Sequence, residues 1–259
     1  MPDPRPTVPL ARAIAVGALA GALSGLFGVG GGILLVPGMV LFLGVEQRLA
    51  SGTSLAAIIP IATFGVIGYA LQGEIDLVAG ALLAAGAVVG APLGARLLQR
   101  WPIGRVRVGF AALLVLTAIR LFFPLPDPTE RGALTVVIAI ELIALGLGSG
   151  VLAGLFGVGG GIILVPAQLL LLGIAPAVAK GTSLLVIIPT AISGTIQNLR
   201  RDNADLRLAA VLGVSGLLLS FGGSYISTAL DPDLANALFA LLLLVSSYRM
   251  LRQGRPTPR

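Results

Sequence analysis

Apolar residues run through this chain in long blocks that short polar segments separate. Ten blocks cover roughly residues 10–27, 31–44, 51–71, 77–98 and 106–123, and then 133–156, 160–173, 181–199, 206–229 and 234–251. Crossing a bilayer takes about 20 apolar residues, or about 17 at the short end. The second block of each set of five is shorter and follows a glycine cluster, which cannot hold a regular helix. The pattern predicts an all-α integral membrane protein in which these two blocks are broken or re-entrant half-helices.

The two halves of the chain are copies of one another. The string GLFGVGGGI returns 129 residues later, and the string GTSL returns at the same offset. Such a long register without gaps indicates a duplication. We therefore predict a first transmembrane repeat at residues 1–125 and a second at residues 130–259, which together make a single transport domain.

Arginine-rich loops predict the orientation of the segments, because such loops stay on the cytoplasmic side of a membrane. The bases used for this prediction lie after the fourth block and at the C-terminal end: Arg96, Arg100, Arg105, Arg107, Arg249, Arg252, Arg255 and Arg259. The loop around Glu74 has no base, whereas its equivalent in the second copy carries Arg200, Arg201 and Arg207. Equivalent loops are thus expected on opposite sides, which predicts two inverted repeats of about five helical segments each, a common plan of secondary transporters.

Composition limits the classes of protein that fit this chain. Of its 259 residues 56% are apolar and 11% charged, and its mean hydropathy is +1.02. A soluble domain carries about 25% charge, so lipid must surround most of the surface. The absence of histidine and cysteine excludes disulfides, Cys or His metal sites and Ser-His-Asp chemistry. We therefore expect no enzyme, no metal and no cofactor. We also expect no nucleic-acid partner, because arginines in cytoplasmic loops account for the net charge of +6.

The repeated glycine clusters are the first candidates for a binding site. A glycine cluster before a half-helix exposes backbone N–H groups, and these donors and the helix dipole bind an anion without a charged side chain. Close packing of helices through small residues is the alternative. The predicted substrate-binding glycines are Gly28, Gly30, Gly31, Gly32, Gly157, Gly159, Gly160 and Gly161.

Hydroxyl residues follow at the predicted start of the third block of each copy. These residues are Thr53, Ser54, Thr182 and Ser183. Their side chains are expected either to cap the helix or to donate hydrogen bonds to an oxyanion, and the two roles are compatible.

A few ionisable or polar residues complete the candidate set. Lys180, the only lysine, precedes the second GTS motif and would attract an anion, or else extend to the membrane interface. Glu141 lies about 12 Å into its block at 1.5 Å per residue, where it would couple proton movement, pair with Arg12, or lie at a shallower depth. Tyr69 and Asn198 occupy equivalent positions and are candidates for gating or for lining the path.

The motifs GLFGVGGGILLVP with SGTSLAAI, and GLFGVGGGIILVP with KGTSLLVI, resemble the TauE/SafE sulfite exporter family, also called the toluene-sulfonate uptake permease (TSUP) superfamily. The resemblance spans essentially the whole chain. It implies a multi-pass transporter of the prokaryotic inner membrane, driven by an ion gradient, that exports sulfite, thiosulfate, sulfoacetate or a related organosulfonate. Members of the family often carry histidine where this chain has Tyr69 or Asn198. Without that histidine, either Glu141 couples proton movement to transport or transport occurs without protons. A passive anion channel or uniporter is the alternative function, and a homo-oligomer is compatible with either.

Overall fold

A computed structural model describes residues 9–121 and 135–252 of the chain, and this part is built of ten α-helices without a strand. The predicted boundary between the copies, Arg255 and Arg259 lie outside the described residues. The helices are α1 (Leu10–Phe27), α2 (Gly32–Phe42), α3 (Gln47–Leu71), α4 (Leu77–Arg100), α5 (Ile103–Leu121), α6 (Val136–Phe156), α7 (Gly161–Leu172), α8 (Pro176–Leu199), α9 (Leu206–Ala229) and α10 (Pro232–Arg252).

Six of these helices, α1, α3, α4, α6, α8 and α9, are long and apolar enough to cross a membrane. Their outward surfaces carry large exposed apolar side chains, such as Leu19, Val89 and Leu218. An outward surface of this kind is favourable only where lipid covers it. The prediction of an all-α integral membrane protein is confirmed.

The short second helix of each copy folds back along the first. Gly31, at the start of α2, lies against Ala20 of α1, and Gly38 lies further back against Val16. α1 ends at Gly28, whose φ of +70° belongs to the left-handed region that favours glycine. α2 has 11 residues and therefore reaches only about 16 Å. α6 and α7 form the corresponding hairpin, in which Gly160 lies against Ser149.

Helices from opposite copies pair in parallel, with glycines at the contacts. Gly17, Gly21 and Gly25 of α1 meet successive turns of α9, and Gly86, Gly90 and Gly94 of α4 meet successive turns of α6 in the same way. The start of α3 contacts the loop that follows α8, since the Thr53 hydroxyl accepts a hydrogen bond from the Asp205 amide. The equivalent helices α3 and α8 therefore run in opposite directions.

These directions divide the loops between two faces of the bundle. One face, the arginine face, carries the α4–α5 and α8–α9 loops, and there Arg201 donates to the Ala95 carbonyl at 3.3 Å. The other face, the Glu74 face, carries the α3–α4 loop and the start of α8. Their contact is a hydrogen bond of 2.8 Å from the Asp76 amide to the Thr182 hydroxyl.

The GTS motifs do not stand at helix starts, and this part of the sequence prediction is wrong. α3 begins at Gln47 with Glu46 as its N-cap, and α8 begins at Pro176 with Ala175 as its N-cap. The first turns were missed because polar residues precede the apolar block of α3 and proline precedes that of α8. Proline suits the first turn of a helix, where its missing N–H has no partner to lose.

Candidate functional site

The two GVGGG turns meet inside the bundle. A Cβ added to Gly32 would lie 2.5 Å from the Val158 Cα, and one added to Gly161 would lie 2.6 Å from the Val29 Cα. The contact is reciprocal, because each turn touches the equivalent residue of the other. Gly30 and Gly159, with φ of +76° and +77°, hold both turns in the left-handed region.

The amides of both turns lack acceptors. Within the described part of the chain, no acceptor is within hydrogen-bonding geometry of the backbone N–H groups of residues 29–33 or 158–162. All ten of these residues are buried. Buried amides without a partner are rare in folded proteins, because each costs free energy comparable to a lost hydrogen bond. This arrangement can accept an anion that supplies the missing acceptors.

The threonines of the two GTS motifs tie the copies together. Thr53 accepts from the Asp205 amide at 2.9 Å, and Thr182 accepts from the Asp76 amide at 2.8 Å. Each hydroxyl thus holds the loop that precedes a helix of the opposite copy. These contacts give both threonines a structural role.

The two serines of these motifs differ in their partners. Ser54 donates a hydrogen bond of 2.7 Å to the Gly157 carbonyl, which fixes the end of α6. Its twin, Ser183, is fully buried, and its hydroxyl has no partner among the described residues. The first contact is structural, whereas the second hydroxyl is available to a ligand.

Lys180 lies directly against the first glycine turn. Its Cα and Cβ would each be 2.5 Å from a Cβ on Gly28, and its ammonium donates to the Ser227 hydroxyl at 2.8 Å. The alternative in which Lys180 extends to the membrane interface is wrong, because the side chain is directed to α9 inside the bundle.

The predicted gating pair lies at two distant places. Tyr69 is fully buried on the side of the Glu74 face, where its hydroxyl donates to the Gly25 carbonyl at 2.8 Å. Asn198 is buried toward the arginine face and donates to the Gly194 carbonyl at 2.9 Å, whereas its side-chain oxygen has no partner among the described residues. The structure brings Tyr69 close to Lys180 and separates Asn198 from both.

Glu141 is not part of this cluster. It lies five residues after Val136, the first residue of α6, and is therefore shallower than predicted, about 7.5 Å along the helix. Its side chain is exposed on the outward surface beside Val137 and Ile140. A pair with Arg12 is excluded, since α1 and α6 run in opposite directions and begin on opposite faces.

Two isoleucines cover the glycine turns. Ile58 of α3 and Ile187 of α8 are equivalent residues, and both are fully buried. A Cβ on Gly30 would meet Ile187 at 3.0 Å and Ile58 at 3.3 Å, and one on Gly159 would meet them at 3.1 and 3.5 Å. The turns are closed in this conformation, and two surface depressions of about 510 and 410 Å³ lie elsewhere on the described surface.

Sequence reasoning missed several residues of this region, namely Ile58, Ile187, Ser220 and Ser227. A signal for the serines was present. Ser220, Ser224 and Ser227 follow one face of α9, while α4 has Ala91, Ala95 and Leu98 at the equivalent positions. No comparable signal marks the isoleucines, because apolar residues occur throughout both helices.

Known proteins resemble this chain along most of its length. The sulfite exporter TauE/SafE family matches residues 2–121 and 142–259. The probable membrane transporter protein YunE of Bacillus subtilis (strain 168) is 24% identical, with 93% of this chain and 97% of YunE covered. YdhB of the same organism is 28% identical over 80% of this chain and 84% of YdhB.

A probable membrane transporter protein of Xylella fastidiosa (strain 9a5c) is 26% identical, and the match covers 89% of this chain and 90% of that protein. These matches confirm the resemblance seen in the repeated motifs. The chain belongs to the sulfite exporter TauE/SafE family and is a multi-pass membrane transporter of that type.

Proposed function

We propose that the chain is a secondary transporter that exports a small sulfur-containing oxyanion or organosulfonate, such as sulfite, thiosulfate or sulfoacetate, across a prokaryotic inner membrane. The observation that carries this proposal is the meeting of two buried glycine turns whose amides lack acceptors beside the only lysine. Oxygen-rich anions match several donors at once, so they suit such a site better than a cation or a neutral solute. The family description, sulfite exporter, supports the substrate class.

The arrangement of the two copies supports transport by alternating access. We take the copies, residues 1–125 and 130–259, as inverted repeats, because α3 and α8 run antiparallel and their ends are tied by equivalent threonine contacts. In transporters of this plan the substrate lies where the broken helices of the two repeats meet. The arginine face would then be cytoplasmic.

The packing of Ile58 and Ile187 favours a transporter over the passive channel. An open channel needs a continuous wet path, whereas here both side chains lie against the glycine turns. A closed site must rearrange before an anion enters, and such a rearrangement is the basis of alternating access.

Thermal unfolding of the purified protein in the presence of candidate anions tests this function. A ligand at 100 times its Kd stabilises the folded state by about 2.7 kcal/mol. That stabilisation corresponds to a rise in Tm of about 5 to 10 °C for a chain of this size. We expect such a rise with sulfite, thiosulfate or sulfoacetate and none with chloride at equal ionic strength. A uniform response to all salts, or no response, would contradict the proposal.

A further inference from the structure

The two glycine turns, residues 28–32 (the Gly28 turn) and residues 157–161 (the Gly157 turn), have the same sequence but different surroundings. Around the Gly28 turn, the neighbouring helices supply polar side chains: Lys180, Ser183, Ser220, Ser227 and Tyr69. The equivalent residues near the Gly157 turn are Ser51, Ser54, Ala91, Leu98 and Asn198. The duplication thus kept both turns but concentrated charge and hydroxyl groups at one of them.

Lys180 brings a positive charge to the Gly28 turn that the described residues leave largely unbalanced. An ammonium has three N–H donors, and the structure gives Lys180 a single acceptor, the Ser227 hydroxyl. No carboxylate of the described residues forms an ion pair with it. The adjoining loop carries two acidic residues: Glu74 contacts Gly181 through its backbone carbonyl, and the Asp76 carboxylate accepts from the Val78 and Ala79 amides at the start of α4. The ammonium therefore has donors to spare for an anion.

An unpaired hydroxyl, that of Ser183, occurs beside this charge. Ser183 follows Lys180 by one helical turn, so both side chains lie on the same face of α8. The twin of Ser183 reaches the Gly157 carbonyl, which places Ser183 at the corresponding level of the Gly28 turn. Ser220 is likewise fully buried and unpaired among the described residues, but its hydroxyl lies against Gly65 of α3 and not at the turn. Burying such hydroxyls without a partner costs about 1–3 kcal/mol each.

We propose that the anion binds on one side only, at the Gly28 turn, between the Lys180 ammonium, the Ser183 hydroxyl and the amides of the turn. This inference rests on the proposed function and specifies where its site lies. Ser227 holds the ammonium while the site is empty, and an anion oxygen replaces it. Because the donors come from both the turn and α8, they suit a compact oxyanion with several acceptor oxygens rather than a halide. The Gly157 turn, whose serine is already bonded, is not a second binding site.

The twin serines provide the sharpest test. In Ser183→Ala, only an unpaired buried hydroxyl is lost, so we expect a Tm without ligand equal to or above that of the wild type, and a loss of affinity of about tenfold for the anion that binds the wild type. In Ser54→Ala, the Gly157 carbonyl loses its partner, so we expect a lower Tm without ligand and an affinity within about twofold of the wild type. Isothermal titration of the full-length protein with sulfite, thiosulfate and sulfoacetate measures both affinities.

A second pair of variants tests the charge. Lys180→Ser, which introduces the residue found at the twin position, should weaken binding by at least about tenfold, whereas Ser51→Ala should leave it unchanged. Equal affinities of wild type, Ser183→Ala and Lys180→Ser would overturn the one-sided site while leaving the proposed function intact. Equal losses in Ser54→Ala and Ser183→Ala would also overturn it. If the wild type bound none of the anions, the proposed function itself would fail, and the one-sided site with it.

Discussion

Gly30 needs to be glycine for two separate physical reasons. Its φ of +76° lies in the left-handed region, where a residue with a Cβ costs about 1–2 kcal/mol. A Cβ there would also meet Ile187 at 3.0 Å and Ile58 at 3.3 Å inside a packed region. Gly73 has the same φ of +76°, but no atom lies within 4 Å of an added Cβ. Gly73 therefore separates the cost of backbone strain from the cost of crowding.

We predict that Gly73→Ala lowers the free energy of unfolding by about 1 kcal/mol, from backbone strain alone. Gly30→Ala should lower it by about 3 kcal/mol, because the isoleucines must also move. Denaturant titration of both purified variants measures the difference. A Gly30→Ala protein as stable as Gly73→Ala would show that the turns are not tightly covered.

For single residues, the sequence predicted where the backbone departs from a helix better than it predicted what each side chain contacts. The glycine turns could be found because the repeated motif is visible in the sequence without knowledge of the fold. The depth of Glu141 was overestimated, since hydropathy places the start of a helix less accurately than a capping residue does, and Thr135 caps α6 at Ile138. The free hydroxyl of Ser183 could not be predicted, because it lies in the same GTSL motif as Ser54.

Glycine also determines how the long helices pair. On α6, Gly146, Gly150 and Gly154 lie four residues apart, and a Cβ on each would collide with the backbone of α4. Small residues at this spacing allow the backbones of two membrane helices to approach closely. Gly148 of the same helix has no atom within 4 Å of an added Cβ. One helix thus contains both a packed glycine and a free one.

We predict opposite effects for the two alanine substitutions on α6. Gly148→Ala should leave stability unchanged or raise it by up to about 1 kcal/mol, because alanine favours the helix. Gly150→Ala should destabilise the protein by at least about 2 kcal/mol, since α4 and α6 must separate. Thermal unfolding in detergent compares them. Similar Tm values for both variants would contradict the close pairing of α4 and α6.

The existence of the helices followed from apolar length, but their partners did not. Long helices of one copy pair with helices of the other, α1 with α9 and α4 with α6. Hydropathy does not indicate which helices pair across the two copies. The spacing of glycines on α1, α4 and α6 was the available signal. It identifies a packing face but not the helix that packs there.

For the molecule as a whole, the inverted arrangement places equivalent loops on opposite sides of the membrane. The chain has no cysteine, so a single introduced cysteine reports its own location. Gly73 on the Glu74 face and Asp202 on the arginine face are equivalent residues of the α3–α4 and α8–α9 loops, and both are exposed. Both substitutions should leave the fold intact.

We predict that an impermeant maleimide labels Gly73→Cys in intact bacterial cells, because the Glu74 face is external in our account. Asp202→Cys should be labelled only after the cells are permeabilised, because arginine-rich loops stay in the cytoplasm. Labelling of both variants in intact cells would place the two loops on one side and contradict the inverted arrangement.

The central claim is that one oxyanion binds where the glycine turns meet, and locating a heavy-atom analogue tests it most directly. Selenite has the shape of sulfite, and its selenium gives an anomalous signal in crystals of the full-length protein. We predict one strong anomalous peak within hydrogen-bonding distance of the Gly28 turn amides and the Lys180 ammonium. A selenite peak only among the arginines of the α4–α5 or α8–α9 loops, with none at the turns, would contradict the account.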